Sequence, residues 1–257
     1  MWTQVKSYLR FLSKSTNEHG VHSPFVFDLV TKCFYDRSDY PEYTTLGNYR
    51  KSLLQNHKTI SVTDFGAGSR VFKSNERKVS DIAKNAGISA KRAELLFRIS
   101  RYFKPETILE IGTSLGLATS ALALGNSSAK VISLEGCANT ASEAKRQLEK
   151  SGISNAEITV DEFESGLNRL SDKKFDLIYF DGNHQKDATL RYFETLLKTA
   201  SNDSVWIFDD IHWSEGMTEA WEIIKKHPKV TVAIDTFQWG FVFFRKEQEK
   251  EDFVIRA

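Results

Sequence analysis

Apolar strand-like segments alternate with helical segments through the second half of the chain, and this alternation constrains the fold most strongly. From Thr107 onward the strand candidates are "TILEI", "KVISLE", "AEITV", "FDLIYF", "SVWIFD", "KVTVAID" and "WGFVFFR". The first five are short apolar runs, which are typical of buried parallel strands. Amphipathic stretches such as "QKDATLRYFETLLKTA" lie between them. The pattern predicts an α/β fold with a doubly wound, mostly parallel, seven-stranded sheet.

The last two strand candidates depart from this alternation. Only "TFQ" separates them, which is too short for the crossover helix that a parallel connection needs. We therefore expect an antiparallel hairpin at the C-terminal edge of the sheet.

The first third of the chain is less regular. The sequence predicts an N-terminal extension of helices and loops at residues 1–86 and the main α/β domain at residues 87–257. Within the extension, Ser23 is suited to cap a helix that has Pro24 at its first position. Phe25, Phe27 and Phe34 follow, and we expect them to belong to a lid over an aromatic substrate.

Composition and charge narrow the range of partners. The chain has 257 residues and a net charge of +1, so no global field favours nucleic acid or a membrane surface. Two cysteines argue against a disulfide-built secreted domain, and the first residues do not resemble a signal peptide. No apolar run reaches the length of a transmembrane helix. We expect a cytoplasmic protein with a small-molecule substrate; the sequence leaves a homodimer open.

Two glycine-rich turns follow strand-like segments, and only one is suited to hold a cofactor. After "DFGAGS", residues 64–69, the chain is polar and unpatterned, so this turn is interpreted as structural; the alternative is that it orders a surface near the substrate. After "EIGTSLG" comes the helical "LATSALALG", and such a helix N-terminus binds anionic groups. Glu135 ends the next strand, at the position where an acid accepts hydrogen bonds from a ribose. Considered alone, it could equally be an ordinary acid at a strand end that faces solvent. Glu110 would repel a pyrophosphate and favours a cofactor that carries an ammonium group.

With these motifs in this order, the sequence resembles class I S-adenosylmethionine-dependent methyltransferases, which have a Rossmann-like fold. Within them it is most similar to the catechol and caffeoyl-CoA type of O-methyltransferase. The resemblance covers about residues 87–246 and includes "AKRAELLFRISRYF", "ETILEIGTSLGLAT", "VISLEG", "FDLIYFDGNHQKDA", "VWIFDDIHW" and the closing hairpin.

The resemblance implies a cofactor site in the second glycine turn. Residues expected around the methionine part of S-adenosylmethionine are Glu110, Gly112, Ser114 and Gly116. Glu135 would accept hydrogen bonds from the ribose hydroxyls. Phe163 or Glu164 would lie near the adenine.

The resemblance also implies a catalytic end. In the family an Asp ends the fourth parallel strand and a Lys three residues later is the general base; here Asp181 fills the first position and His184 the second. Asp181 would contact the cofactor as well as the metal. The family's Asp-Asn pair after the fifth strand is Asp209-Asp210. The three aspartates would hold Mg²⁺ or a similar divalent ion, with one more negative charge than in the family. A free histidine side chain has a pKa near 6.5 and is largely neutral at pH 7, so a histidine at position 184 is suited to accept a proton as a base.

The sequence therefore predicts metal-assisted O-methylation of a small hydroxylated molecule, aromatic ones included. The alternatives are a metal-independent O- or N-methyltransferase with His184 as base, and an RNA-modifying methyltransferase, which the charge balance does not favour. Two residue roles also stay open. His184 would otherwise be a solvent-facing residue or a fourth metal ligand, and Asp209-Asp210 would otherwise form the turn and cap before the next helix.

Overall fold

The computed structural model describes residues 2–63 and 74–257. The predicted structural turn at residues 64–69 lies outside this part of the chain. The described residues form two compact units. The continuous unit is residues 36–166, and the discontinuous unit combines residues 1–35 with residues 167–257. Neither unit has a boundary at residue 86.

The α-helices span Trp2–Lys14, Pro24–Leu29, Glu42–Leu54, Val79–Asn85, Ala90–Phe103, Leu117–Gly125, Ala138–Lys150, Phe163–Leu170, Lys186–Leu196 and Glu215–Lys226, and are numbered α1 to α10 in that order. The strands span Thr59–Ser61, Glu76–Lys78, Thr107–Ile111, Lys130–Glu135, Ala156–Val160, Leu177–Phe180, Val205–Asp209, Val232–Asp235, Trp239–Phe243 and Glu251–Val254, and are numbered β1 to β10. A π-helical turn, Val30–Phe34, continues α2.

The continuous unit contains three parallel strands in the order β3-β4-β5. Their apolar residues are buried between helices, and α5 packs closely on α6. Helix α5 begins at the cap residue Ser89 and ends at Lys104, whose left-handed backbone precedes Pro105. Because the strands are parallel, the residues after Ile111, Glu135 and Val160 emerge at one edge. This edge carries the second glycine turn.

The discontinuous unit contains five strands in the order β10-β8-β9-β7-β6. Strands β6 and β7 are parallel, and β8 and β9 form the predicted antiparallel hairpin. The predicted α/β class, with mostly parallel strands and this hairpin, is confirmed. Strand β10 is an addition that the sequence did not predict: it pairs with β8 in parallel and so covers the outer side of the hairpin.

The N-terminal segment is anchored in the discontinuous unit. Ser23 caps α2 as predicted, since its Oγ accepts from the Val26 N–H. Phe25 and Phe34 pack against Phe243 and Phe241 of β9, with ring centroids 5.0 and 5.2 Å apart. These two rings are therefore packed on the sheet, whereas Phe27 is exposed. The lid function of this segment stays a prediction.

No helix in residues 2–63 or 74–257 combines the length and the apolar character that crossing a bilayer requires.

Candidate functional site

The turn after β3 has a backbone built for close approach to a ligand. Gly112, Ser114 and Gly116 all have positive φ, at 98°, 48° and 76°. The N–H groups of Gly112 and Thr113 both donate to the carbonyl of Leu134 at the end of β4, at 2.9 and 3.2 Å. The turn is thereby fixed to the neighbouring strand, and helix α6 begins directly after it. Glycine is required at 112 and 116, where a side chain would add strain.

Glu135 closes the turn from the end of β4. Its Oε2 accepts from the Ser114 N–H at 2.7 Å, and its Oε1 accepts from the Cys137 N–H at 2.9 Å. Both carboxylate oxygens of Glu135 therefore order the loop, which differs from the solvated acid of the alternative interpretation. Its contact with a ribose hydroxyl stays a prediction.

Glu110 is the penultimate residue of β3 and is completely buried. Its Oε2 accepts from the hydroxyls of Thr119 and Ser133, whereas Oε1 has no hydrogen-bond partner among the described residues. Burial raises the pKa of Glu110 to about 8; the charge of Glu135 adds to this, and the bonds from Ser133 and Thr119 oppose it. A buried acceptor without a donor is the feature that a cationic ammonium group satisfies.

We expect this buried carboxyl to make folding stability fall as pH rises. Between pH 4.5 and about 8 the unfolded chain has released the Glu110 proton while the folded chain retains it, so stability declines across that window. Glu110→Gln should remove this pH dependence, which amounts to roughly 3 kcal/mol between pH 5 and pH 8. Urea unfolding of both proteins across this range measures it. The exposed Glu162→Gln is the control; equal pH slopes in wild type and Glu110→Gln would contradict the prediction.

Tyr49 of α3 supports the turn from the other side. Its hydroxyl donates to the Leu115 carbonyl at 2.9 Å, and a Cβ placed on Gly116 would lie 2.5 Å from that hydroxyl oxygen. Sequence analysis did not identify this residue, because 66 positions separate the pair and no local motif marks it.

The predicted adenine contacts lie at the next strand end. Phe163 is half-buried and Glu164 exposed at the start of α8. Just before them, the Asp161 N–H donates to the Glu135 carbonyl at 3.0 Å, which holds this segment beside Glu135. Sequence analysis did not single out Asp161, although it directly follows β5 as Asp181 follows β6.

The predicted catalytic residues lie in the discontinuous unit, at the carboxyl ends of β6 and β7. The Nε2 of His184 lies 3.6 Å from Oδ1 of Asp181, and the two side chains are 25% and 20% exposed. Between them, Asn183 has a positive φ of 52° and donates to the Tyr192 hydroxyl at 3.3 Å. This turn brings His184 back over the strand end, so His184 is not the fully solvent-facing residue of the alternative interpretation.

Asp209 and Asp210 differ in their surroundings. Asp209 is 4% exposed; its Oδ2 accepts from the Tyr179 hydroxyl at 3.2 Å and its Oδ1 from the Asp210 N–H at 2.8 Å. Asp210 has a positive φ of 53°. Neither acid caps α10, because Ser214 does so. Helix capping by these acids is thus not what the structure has, but the turn of that alternative is present, because the Asp210 carbonyl accepts from the Trp213 N–H at 2.9 Å.

The pairing of Phe180 with Phe208 places Asp181 and Asp209 at the next step of adjoining strands. Even so, nowhere in the described part of the chain do three His, Cys, Asp or Glu side chains form a preformed ligand set for one ion. Mg²⁺ needs only one or two carboxylates, since waters complete its coordination. The pair at the two strand ends is the part of the predicted site that suits such an ion.

Residues 109–211 match a family described as a methyltransferase domain. Over these residues the chain is similar to methyltransferase domains. The match begins in β3 and ends after Asp210, so it covers both the glycine turn and the acids. No protein with a curated description matches the chain by sequence.

Solved structures of methyltransferases share the fold over most of the chain. The methyltransferase PaMTH1 from Podospora anserina, bound to S-adenosylhomocysteine, is 15% identical with a TM-score of 0.63, over 88% of this chain and 97% of that one. The O-methyltransferase TomG from Streptomyces achromogenes, involved in tomaymycin synthesis and bound to S-adenosylmethionine, is 17% identical with a TM-score of 0.56, over 84% and 95%. An O-methyltransferase from Bacillus cereus is 19% identical with a TM-score of 0.54, over 82% and 93%.

The features of the glycine turn after β3 fit S-adenosylmethionine. Its positive-φ backbone leaves room at the two glycines, and two backbone N–H groups fix Glu135 at the turn. The Oε1 of Glu110, which has no hydrogen-bond partner among the described residues, suits the ammonium end of a methionine. An acid at the first position also distinguishes this turn from a pyrophosphate site.

Proposed function

We propose that the chain transfers a methyl group from S-adenosylmethionine to an oxygen atom of a small hydroxylated molecule, with His184 as the proton acceptor. The observation that carries this proposal is the His184–Asp181 pair at the end of β6, within the matched methyltransferase domain. The O-methyltransferases among the solved structures favour oxygen as the acceptor atom.

When bound, S-adenosylmethionine supplies an electrophilic methyl group on a sulfonium sulfur. In this proposal the glycine turn orients the cofactor, Glu135 accepts from its ribose hydroxyls, and Glu110 accepts from its ammonium. Phe163 or Glu164 contacts the adenine. These contacts involve groups that the fold already holds in place, which lowers the cost of ordering them on binding.

His184 is suited to remove the proton from the substrate hydroxyl. The Nε2 faces Asp181, so a proton held there leaves the Nδ1 lone pair free to accept another. The carboxylate of Asp181 then stabilises the imidazolium that forms, as an orienting acid does for a catalytic histidine. A deprotonated oxygen is a far better nucleophile towards a methyl group than the hydroxyl.

The substrate class is tested by transfer of labelled methyl groups. Purified protein with S-adenosylmethionine carrying a labelled methyl should methylate members of a panel of catechols and simple phenols at oxygen. Matched aromatic amines should not accept the label, and neither should an RNA transcript. Labelling of amines alone would favour the N-methyltransferase, labelling of RNA alone the RNA-modifying enzyme, and either outcome overturns the proposal.

We further propose that a Mg²⁺-like ion binds the predicted carboxylates, chiefly Asp181 and Asp209, with Asp210 beside them. The support is electrostatic: acids at adjoining strand ends repel one another, and a dication relieves that repulsion. Such an ion would lower the pKa of a coordinated substrate hydroxyl.

We expect Mg²⁺ or Mn²⁺ to raise the melting temperature of metal-free protein by mass action, by a few degrees at saturating metal. Asp209→Ala and Asp210→Ala should abolish the rise, whereas the exposed Asp172→Ala should retain it. His184→Ala should also retain it. If melting is unaffected by metal and methylation continues in excess chelator, the ion has no role and His184 acts as a metal-independent base.

A further inference from the structure

A polar groove lies between α3, the loop that follows it, and α7 in the continuous unit. Its volume is about 700 Å³, within the range of sites that hold small molecules. The lining residues are Asn48, Lys51, Ser52, Gln55, Asn56, Lys58, Arg146 and Lys150. Four of them are cationic and, among the described residues that line the groove, none is acidic. The groove therefore concentrates positive charge on a chain whose net charge is only +1.

One carboxylate beneath the groove fixes two of these cations. The side chain of Glu143 is 3% exposed, and it forms ion pairs with Lys58 and with Arg146, the latter at 2.6 Å. Burial alone would raise the pKa of Glu143, but hydrogen bonds from Lys58 and Arg146 hold it below its usual value. Glu143 thus stays ionised and anchors both cations. Against this one charge, four cations leave an excess of three positive charges.

The remaining lining groups supply hydrogen-bond donors. The Nζ of Lys150 lies 3.2 Å from the Ser52 hydroxyl and so connects α7 to α3, while Lys51 is exposed on α3. Amide side chains of Asn48 and Gln55 complete the polar wall. Fixed cations beside amide donors are the arrangement that phosphate oxygens bind.

A chain of hydrogen bonds leads from this groove to the cofactor turn. The Ser52 hydroxyl donates to Gln147 Oε1 at 3.3 Å, and Gln147 Nε2 donates to the Tyr49 carbonyl at 3.5 Å. The Tyr49 hydroxyl in turn donates to the Leu115 carbonyl within the turn. A ligand that draws α3 and α7 together therefore acts on the residue that supports the glycine turn.

We propose that this groove is a binding site for a small molecule carrying two or three phosphate groups, and that its occupancy changes the affinity of the cofactor turn. The site is separate from the residues of the proposed methyl transfer. Its excess charge matches a polyphosphate, its volume admits a small molecule, and Tyr49 couples it to the turn. The anion is held by Lys51, Lys58, Arg146 and Lys150.

The test uses sodium tripolyphosphate as the probe, in calorimetry on the full chain at 150 mM salt. Lys51→Glu/Lys150→Glu should weaken binding at least about 10-fold, because two attractive charges become repulsive. Both lysines are exposed and the Glu143 ion pairs remain, so the variant should fold. Lys226→Glu/Lys229→Glu makes the same charge change at exposed positions of the other unit and should change affinity less than about twofold.

Coupling is measured as the dissociation constant of S-adenosylhomocysteine with and without saturating tripolyphosphate. A change of at least about threefold is expected in wild type and should be lost in Tyr49→Phe, which removes the bond to Leu115. An RNA oligomer is titrated in the same way for comparison. Three outcomes overturn the proposal: the wild type does not bind tripolyphosphate, both charge variants lose the same amount of tripolyphosphate affinity, or the wild type binds only the RNA oligomer. An unchanged cofactor affinity overturns the coupling.

Discussion

Replacing His184 by alanine is expected to lower kcat for methyl transfer by about 100- to 10,000-fold, the usual contribution of a positioned general base. The side chain faces Asp181 and is one-quarter exposed, so it can reach a substrate proton while the carboxylate stabilises its charged form. The dissociation constant of S-adenosylhomocysteine should change less than about twofold, because the cofactor residues lie in the other unit. Single-turnover assays with an accepted phenol, together with calorimetry, separate the two effects.

His227→Ala is the matched control for this experiment. That histidine is also partly exposed and lies 4.0 Å from the carboxylate of Glu194, yet it is in the segment after α10, away from the strand ends. It should retain at least half of wild-type kcat. Wild-type turnover by folded His184→Ala protein would refute the assignment of the base and return the proton transfer to a metal-bound hydroxyl or to solvent.

Replacing Gly112 by valine is expected to weaken binding of S-adenosylhomocysteine by at least about 100-fold, or roughly 2.7 kcal/mol. The φ of 98° at this position is costly for a β-branched residue, by about 1–3 kcal/mol, and the new side chain projects from the turn that the cofactor must approach. Relaxing the strain would move the Gly112 N–H away from the Leu134 carbonyl. Calorimetry on the folded variant gives the affinity.

Gly152→Val separates backbone strain from the cofactor contact. Gly152 also has a positive φ, 71°, but a Cβ there would meet nothing within 4 Å. The variant should lose stability and retain cofactor affinity within about twofold. Gly66→Ala and Gly68→Ala, in the turn interpreted as structural, should likewise leave affinity nearly intact. Wild-type affinity in Gly112→Val, or equal losses in Gly112→Val and Gly152→Val, would contradict the cofactor assignment.

The strands of the fold could be predicted wherever apolar side chains determine them. Runs such as "TILEI" and "VWIFD" are buried along their whole length or nearly so, and their hydropathy alone marks them. Strand β10 has no such signal, since "EDFV" exposes its two acids and buries only Phe253. Its position depends on backbone pairing with β8, to which the side chains add little. Pairing between distant segments is not encoded in local hydropathy.

The sequence could locate those residues of the candidate site that lie at the ends of strands. Glu135, Asp181 and Asp209 each end or directly follow a buried run, so strand prediction located them. Their chemical environments were not predictable. The burial of Glu110 depends on Thr119 and Ser133 from two other elements, and the support of the turn by Tyr49 spans 66 positions. Such contacts exist only once the elements have packed.

The way the discontinuous unit is assembled has a consequence for synthesis of the chain. Thr16 pairs with Ile255, and the Tyr35 hydroxyl donates to the Arg256 carbonyl, 221 positions away. During translation, residues 16–35 emerge well before the strands that receive them. Apolar residues such as Val26 and Leu29 are wholly buried in the folded protein. They remain exposed to solvent until those strands have been synthesised. Docking of this segment is therefore a late event of folding, and its apolar side chains are exposed to aggregation until the receiving strands are made.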